Sequence, residues 1–199
     1  MARIRTIEEN EHPELAKQIA TIRGGRRGTL SMIYRLMLHS PAAAMAWYQQ
    51  NSALRWQTDL DGFLRELVIL RVAVLTGCEY VRRVHAGVYA QEEGFSPGQI
   101  AALGDPARRW DGVGEAGRRE ASPDDALALF DARARAVLAY IDAMTLTVAV
   151  PETVFAALRS HFGERQIVEL TMLVASYNML TRVLTALEAD PEPLPPKKG

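Results

Sequence analysis

The sequence predicts an all-α fold, and three observations support this prediction. Apolar residues recur at helical spacing along almost every segment of the 199 residues. No segment shows sustained alternation of apolar and polar residues between hairpin turns, so a sheet is not expected. Three Ser-Pro pairs place a hydroxyl side chain directly before a proline, which suits the first turn of a helix. These pairs are Ser40-Pro41, Ser96-Pro97 and Ser122-Pro123.

Start and stop signals place the individual helices in order along the chain. The Ser-Pro pairs start three of them, and Gly24-Gly25 and Gly163 are stop signals. These signals and the apolar periodicity predict helices over residues 14–22, 29–39, 41–56, 97–103, 123–144, 151–162 and 164–188. Residues 104–121 are predicted to be an irregular loop, and the Pro-rich tail 189–199 is predicted to be extended.

Composition excludes several classes of protein. A net charge of -1 and a pI near 6.4 do not fit an extended nucleic-acid surface, so no nucleic-acid partner is expected. Charges stand in the N-terminal segment where a signal peptide has its apolar core, and apolar runs fall short of the roughly 20 residues that span a bilayer. We therefore expect a soluble, cytoplasmic protein without a membrane partner. Cys78 is the only cysteine, which excludes an internal disulfide.

The two halves of the chain are similar when they are offset by 100 residues. Internal duplication is one interpretation, and shared helix composition is the other. If the chain is duplicated, the polar site belongs to the first half, because Asn178 stands opposite Cys78 and Thr185 stands opposite His85. The repeated positions are Arg65, Val68, Leu70, Val74 and Arg82, which recur as Arg165, Val168, Leu170, Val174 and Arg182.

Residues 65–87 predict a central helix followed by a bend. From residue 67 to 75 the segment is apolar on every side except at Arg71, which is typical of a helix enclosed by other helices. The motif "TGCE" fits a capping box, with Thr76 as the N-cap of a new helix and Glu79 reaching back. Cys78 would then lie in the first turn, where the helix dipole is expected to lower the pKa of the thiol. His85 lies seven residues further along the same stripe.

The spacing E-x11-C-x2-V-x3-H, formed by Glu66, Cys78, Val81 and His85, resembles the signature of the carboxymuconolactone decarboxylase and alkylhydroperoxidase D-like family. The resemblance implies an all-helical fold, often duplicated within one chain, and a homo-oligomer that is a trimer or a hexamer. We expect a single domain over residues 1–199, with a family-like core over 34–103 and a helical second half over 122–188. Flanking segments also match: "YRLMLHSP" at 34–41, "RELVILRVA" at 65–73, "GCEY" at 77–80 and "GFSPGQIAAL" at 94–103.

The chain departs from the peroxidase members of this family at one decisive position. Those members use a C-x-x-C pair, and here the second cysteine is replaced by Val81. A lone thiolate that attacks a peroxide becomes a sulfenic acid and needs an outside thiol to return. Tyr80 stands where the dithiol branch commonly carries a histidine, so the site is more similar to that of the decarboxylase branch. That branch is implied to need no cofactor.

The resemblance implies a small lactone or cyclic carboxylic acid as substrate, and chemistry suggests a role for each residue. Histidine titrates near neutral pH, so His85 could deliver a proton to carbon while Glu66 orients it. Tyr80 could donate a hydrogen bond to a developing enolate oxygen, and Cys78 would line the pocket. A cation must hold the substrate carboxylate, and three residues are candidates: Arg71, Arg82 and Arg83.

Three hypotheses of different kinds stay open. The first is a cofactor-free acid–base lyase, the second is a one-cysteine thiol peroxidase that uses Cys78 and an external reductant, and the third is a catalytically silent oligomeric module. Each candidate also has a structural interpretation, since free cysteine and tyrosine are commonly core residues. No metal site is expected, because the other three histidines show no metal-ligand spacing: His12, His39 and His161.

Overall fold

The computed structural model describes residues 2–110, 123–191 and 194. Within these residues the chain forms α-helices, short 3₁₀ turns and one π-helical segment, and no strand, so the all-α prediction is confirmed. The α-helices are α1 Ala16–Gly25, α2 Met32–Met37, α3 Pro41–Trp56, α4 Gly62–Leu75, α5 Glu79–Val84, α6 Ala90–Glu92, α7 Pro97–Leu103, α8 Pro123–Ala128, α9 Ala132–Leu146, α10 Glu152–Arg159 and α11 Glu164–Ala186. The π segment His85–Tyr89 joins α5 to α6.

Helix α4 is the centre of the fold, as its apolar sequence predicts. It packs mainly against α9 and α11, while α3 packs against α1, α2 and α11. Leu67, Val68 and Val72 on α4 have no solvent-exposed surface. Burial of each such side chain is worth roughly 1.5–3 kcal/mol relative to exposure, which makes this three-helix contact the main source of stability.

The bend after α4 has a specific backbone cause. Gly77 adopts φ 65°, a left-handed conformation that glycine reaches without a Cβ clash. The Gly77 N–H donates to the Val74 carbonyl at 3.1 Å, and the Cys78 N–H donates to the Ala73 carbonyl at 2.9 Å. This pair of bonds is the Schellman motif that closes helix C-termini. The chain therefore turns at residues 76–77, where the sequence predicts a bend.

The predicted capping box at this bend is wrong. Thr76 is the C-cap of α4, and its hydroxyl donates backward to the Val72 carbonyl at 2.7 Å. Cys78 is the N-cap of α5, and its side chain makes no capping hydrogen bond. The Glu79 carboxylate instead accepts hydrogen bonds from Arg82 at 2.7 and 2.8 Å. The Schellman closure uses residues 76–78 to end α4, so Thr76 cannot also start the next helix.

Other predicted helix boundaries hold to different degrees. The helices predicted over 41–56 and 97–103 match α3 and α7, and Ser96 forms a full capping box with Gln99. Ser40 is the N-cap of α3 but makes no side-chain capping bond, and Ser122 lies outside the described residues. The helix predicted over 123–144 is interrupted, because Asp131 caps a separate α9 by accepting from the Ala134 N–H at 2.7 Å.

Arg71, the one charged residue in the apolar run of α4, ties the central helix to the chain that follows α7. It is fully buried and pairs with Asp142 of α9, with nitrogen–oxygen distances of 2.7 and 2.9 Å. Its guanidinium also donates to backbone carbonyls, namely those of Leu103, Asp105 and Arg108. Most of the irregular region predicted from residue 104 lies outside the described residues, but its first residues are held by this arginine.

Helix α11 is the longest described helix, and it packs against α3, α4, α9 and α10. Its length and mean hydropathy of 1.3 would allow it to cross a membrane, although 50% of that window is buried inside the protein. Core helices of soluble proteins have the same composition. The offset that relates the two halves places Ser176 and Tyr177 opposite Thr76 and Gly77, and α11 continues without a bend there. The internal duplication stays a prediction.

Candidate active site

Glu66 and His85 meet in the interior, at the junction of α4 and the π segment. The Nδ1 atom of His85 lies 2.6 Å from Glu66 Oε2, and both side chains are buried. A carboxylate accepts at this distance, so Nδ1 carries the proton and Glu66 fixes the orientation of the ring. Among the described residues we find no hydrogen bond to Nε2, which leaves that nitrogen for a ligand.

His85 is the first residue of the π segment His85–Tyr89. Single π turns inside α-helices are rare and occur often at functional sites. The His85 ring makes edge contacts with Tyr89, at 5.1 Å between ring centroids, and with Tyr177 of α11, at 6.1 Å. The imidazole is therefore held by one carboxylate and two aromatic rings.

A cavity of about 510 Å³ opens beside His85. Its walls combine five aromatic side chains, two arginines and aliphatic residues, most of which come from α2, α5 and α11. The volume is in the range of pockets for small organic ligands. The polar and aromatic side chains that line it include Arg26, Tyr34, Asn51, Arg55, Tyr80, His85, Tyr89 and Tyr177.

Cys78 does not line this cavity. It borders a separate, smaller hollow of about 220 Å³ together with Thr185, and only 3% of its surface is exposed. The predicted convergence of Glu66, Cys78 and His85 therefore holds for the carboxylate and the imidazole, but it is wrong for the sulfur.

The prediction that the Cys78 thiol has a lowered pKa is also wrong. Burial raises the pKa of this thiol above its ordinary value, and it outweighs the stabilising hydrogen bonds from the Val81 and Tyr80 backbone and the Thr185 side chain. Desolvation disfavours the charged thiolate in this surrounding. A protonated thiol is a poor nucleophile.

Tyr80 lies between the two hollows, since it borders both of them. Its position is compatible with the predicted contact to a ligand beside His85. Tyr80 and His85 thus line one cavity, and Glu66 is hydrogen-bonded to His85, whereas Cys78 borders the other hollow. Leu184, like Tyr80, borders both hollows.

None of the three arginines predicted to hold a substrate carboxylate lines the main cavity. In the core, the Arg71 guanidinium forms an ion pair with Asp142 and donates hydrogen bonds to backbone carbonyls. Arg82 pairs with Glu79 on the surface, and Arg83 is exposed. Helical periodicity predicts which face of a helix a residue lies on, but it does not predict which arginine forms an ion pair with an acidic side chain of the same chain. That pairing removes Arg71 and Arg82 as anion ligands.

Arg26 and Arg55 line the cavity instead. Arg55 is four residues after Asn51 on α3, so both side chains project from the same face. Burial alone would lower the pKa of Arg55, but the neighbouring Tyr177, Glu66 and Tyr89 together raise it. The side chain is therefore a cation inside the protein.

Tyr177 enters the site from α11. The side chains of Asn51 and Arg55 lie within hydrogen-bonding reach of its hydroxyl. Burial raises the pKa of this phenol, and this exceeds the lowering by Arg55, so the hydroxyl stays protonated. Burial likewise raises the pKa of Tyr34 to about 12. Both tyrosines therefore present neutral O–H groups.

The sequence profile of the carboxymuconolactone decarboxylase family matches residues 41–121. This segment of the chain is similar to that family. The matched segment contains Glu66, Tyr80 and His85, together with Asn51 and Arg55 of the cavity wall. Among curated proteins, none matches the chain by sequence.

Solved structures with the same fold extend the likeness over most of the chain. The debrominase Bmp8, solved as a cysteine-to-alanine variant in complex with 2,3,4-tribromopyrrole, has a TM-score of 0.71 and 14% identity, covering 96% of this chain and 94% of its own. An uncharacterised peroxidase-related protein with an alkylhydroperoxidase AhpD core, from Ralstonia eutropha JMP134, has a TM-score of 0.70 and 17% identity, with 96% and 92% covered. Atu0492, a protein of unknown function from Agrobacterium tumefaciens, has a TM-score of 0.63 and 21% identity, with 79% and 96% covered. At these identities the likeness shows the fold.

Two cavity residues that sequence reasoning missed lie outside the segment matched by the carboxymuconolactone decarboxylase family. Arg26 precedes that segment and Tyr177 follows it. One signal could have pointed to Tyr177, because the offset of 100 residues places it opposite the bend at Gly77. Arg26 lies in a Gly- and Arg-rich stretch with no periodicity, and such a stretch carries no signal for a buried contact.

Proposed function

We propose that this member of the carboxymuconolactone decarboxylase family is a cofactor-free acid–base enzyme that acts on a small lactone or cyclic carboxylic acid. The observation that carries the proposal is the 2.6 Å contact between Glu66 and His85 at the wall of a cavity of about 510 Å³. A histidine whose Nδ1 is held by a carboxylate presents Nε2 to a ligand for proton transfer.

Loss of carbon dioxide from a carboxylated unsaturated lactone illustrates the chemistry. The bond between the ring carbon and the carboxylate breaks, and its electron pair moves through the ring to the carbonyl oxygen as an enolate. Protonated His85 then donates its Nε2 proton to a ring carbon, and the enolate returns to a carbonyl. Solvent restores the proton on His85, so one carboxylate and one proton give one product and carbon dioxide.

Two side chains can support this reaction without taking part in proton transfer. Glu66 holds the imidazole in one tautomer and stabilises its protonated form. Tyr80 borders the cavity and is placed to donate a hydrogen bond to the enolate oxygen, which is the role of an oxyanion donor. Apolar walls exclude water and strengthen both interactions.

The alternative, a thiol peroxidase that depends on Cys78 and an external reductant, has less support. It requires an accessible thiolate, whereas the Cys78 thiol is buried and burial raises its pKa. It also requires the peroxide to reach the smaller hollow rather than the cavity beside His85. The expected homo-oligomer and the cytoplasmic location remain proposals that come from the family resemblance and from composition.

The proposed function is tested with a panel of unsaturated five-membered lactones that carry one or two carboxylates, with carbon dioxide release as the readout. We expect turnover by the unmodified protein and by Cys78→Ser, and a loss of about 10²-fold or more in His85→Gln. The thiol alternative predicts the reverse, with activity toward hydroperoxides that Cys78→Ser abolishes and His85→Gln retains in part.

A further inference from the structure

The charges around the main cavity do not balance. Arg26 and Arg55 are the cations of its wall, and the Glu66 carboxylate, whose charge acts on Arg55, is hydrogen-bonded to His85. In the part of the chain that the structure describes, neither arginine forms an ion pair with an acidic side chain. Two positive charges thus lie near one negative charge in a largely apolar surrounding, before any charge on His85 is counted. Both arginines are half-buried. Charges withdrawn from water are normally paired, so this excess favours an anion beside them.

The side chains of Asn51 and Tyr177 connect Arg26 to Arg55 at the cavity wall. Arg26 Nη2 donates to Asn51 Oδ1 at 3.2 Å, which turns the amide NH₂ group of Asn51 away from Arg26. Asn51 and Arg55 both lie within hydrogen-bonding reach of the Tyr177 hydroxyl. Both side chains carry N–H donors, so the Tyr177 oxygen can accept from them while its own O–H is donated to a ligand.

Arg26 itself is held in place by neutral partners. Its Nε donates to the Tyr34 hydroxyl at 3.0 Å, and Nη2 also donates to Ser52 Oγ at 3.1 Å. Its guanidinium lies 4.7 Å from the ring centroid of Tyr48. These contacts fix the position of the group without neutralising its charge, so the anion site is preorganised.

We propose that Arg55, Arg26 and the Tyr177 hydroxyl form an anion subsite of this cavity, and that its occupant is a small planar ring bearing a carboxylate. The aromatic walls, among them Tyr34, Tyr89 and the Tyr177 ring, suit the flat faces of such a ring. The proposal deepens the proposed function by assigning the residues that bind the carboxylate of the substrate. It rests on the proposed function only in placing the ring beside His85.

The proposal is tested by binding without turnover. Calorimetric titration compares 2-furoate with its neutral isostere 2-furamide in the complete protein. A charge-assisted hydrogen bond that replaces a neutral one predicts that 2-furoate binds about tenfold more tightly or better. Arg55→Met is expected to reduce this preference to about twofold or less, because one of the two unpaired cations is removed.

Arg82→Met is the matched control, since Arg82 lies on the surface and pairs with Glu79. It is expected to keep the full preference for 2-furoate. Thermal melting verifies that each variant folds, and Arg26→Met carries the same prediction if Arg55→Met does not fold. Equal affinity for the two probes in the unmodified protein, or a full preference retained in the folded arginine variant, would overturn the proposal. Because no reaction is followed, the outcome is independent of whether the protein releases carbon dioxide.

Discussion

The Glu66–His85 hydrogen bond joins two side chains that are nearly excluded from water. Their exposed side-chain fractions are 5% and 10%. A buried polar group that loses its partner keeps the cost of its desolvation, so each residue depends on the other. This dependence makes the pair a structural element of the core and an active-site candidate together.

A double-mutant cycle measures the dependence. Glu66→Gln, His85→Gln and the combined variant are compared in urea unfolding. We expect each single replacement to lower the free energy of unfolding by about 1–3 kcal/mol, and the combined loss to be smaller than the sum by roughly 1 kcal/mol or more. Strict additivity would show that the two side chains do not interact in solution.

The Cys78 thiol should react slowly at neutral pH. Because burial raises its pKa, the thiolate fraction at any given pH is below that of a free cysteine, and it rises only at higher pH. The folded state binds this proton more tightly than the unfolded state, so stability is fully present below the unfolded pKa and falls as pH rises through the folded value. Alkylation rates measured against pH test this, with glutathione as the reference thiol. A rate at neutral pH above that of glutathione would contradict the burial argument.

Single residues show where sequence reasoning succeeds and where it stops. The spacing of Glu66 and His85 predicted a polar pair, and the structure brings them together. Cys78 shares a helical stripe with His85 in the sequence, but two turns separate them, and the π segment begins at His85. The i, i+7 spacing therefore did not put both groups into one cavity. The pKa of the thiol was mispredicted because sequence analysis considered the helix dipole, which stabilises a thiolate, but not the burial of the thiol, which destabilises it.

At the scale of elements, the bend at Gly77 decides where the site residues lie. Its φ of 65° allows the chain to leave α4 and to start α5 shortly after the turn. The His85 side chain is thereby directed back to Glu66 on α4. Glycine at this position and the Ser-Pro starts are local signals, which is why α3, α7 and the bend could be predicted from sequence.

Replacement of Gly77 by alanine tests the importance of the bend. A left-handed conformation costs an L-residue roughly 1–2 kcal/mol, so we expect Gly77→Ala to lower the free energy of unfolding by about that amount. Nothing lies within 4 Å of a Cβ added at Gly77, so the loss would come from the backbone alone. Gly24→Ala is the control, because Gly24 is helical and also has open space around it. That variant should be neutral or more stable by up to about 1 kcal/mol. Equal effects of the two replacements would refute the backbone argument.

The interrupted helix shows the limit of local signals. Residues 123–144 read as one periodic segment, but Asp131 accepts from the Ala134 N–H and starts α9 anew. The side chain of Arg135 donates to the Phe130 carbonyl at 2.6 Å and to the Leu127 carbonyl at 3.1 Å, and so stabilises the break. Such contacts cross the boundary between two elements. The periodicity of apolar residues therefore gives no information about them.

At the scale of the whole molecule, the cavity is assembled from segments that are far apart in the chain. Arg26 follows α1, Asn51 and Arg55 come from α3, His85 comes from the π segment, and Tyr177 comes from α11. On the duplication interpretation, sequence analysis placed the polar site in the first half, whereas the structure adds Tyr177 of the second half to the cavity wall. Which arginine faces the cavity depends on tertiary pairing, so sequence analysis kept Arg71 among its three candidates although it pairs with Asp142 in the core.

The buried Arg71–Asp142 pair links α4 to α9 and is expected to matter for the stability of the whole fold. Arg71→Met removes the guanidinium that pairs with the buried Asp142 carboxylate, and we expect a loss of about 3–5 kcal/mol in the free energy of unfolding. Combined replacement by Arg71→Met and Asp142→Leu should cost less than Arg71→Met alone. Arg82→Met, at an exposed ion pair, should change stability by about 0.5 kcal/mol or less. Chemical denaturation provides the comparison, and a double variant less stable than Arg71→Met would contradict this explanation.

The central claim is that His85, held by Glu66, transfers protons to and from carbon in a small ring bound beside it. The most direct measurement is deuterium incorporation from D₂O into the ring carbons of carboxylated unsaturated lactones, followed by NMR. The account predicts enzyme-dependent incorporation by the unmodified protein and by Cys78→Ser, and a loss of about 10²-fold or more in folded His85→Gln. Incorporation that is equal in His85→Gln and the unmodified protein, or that disappears only in Cys78→Ser, would contradict it.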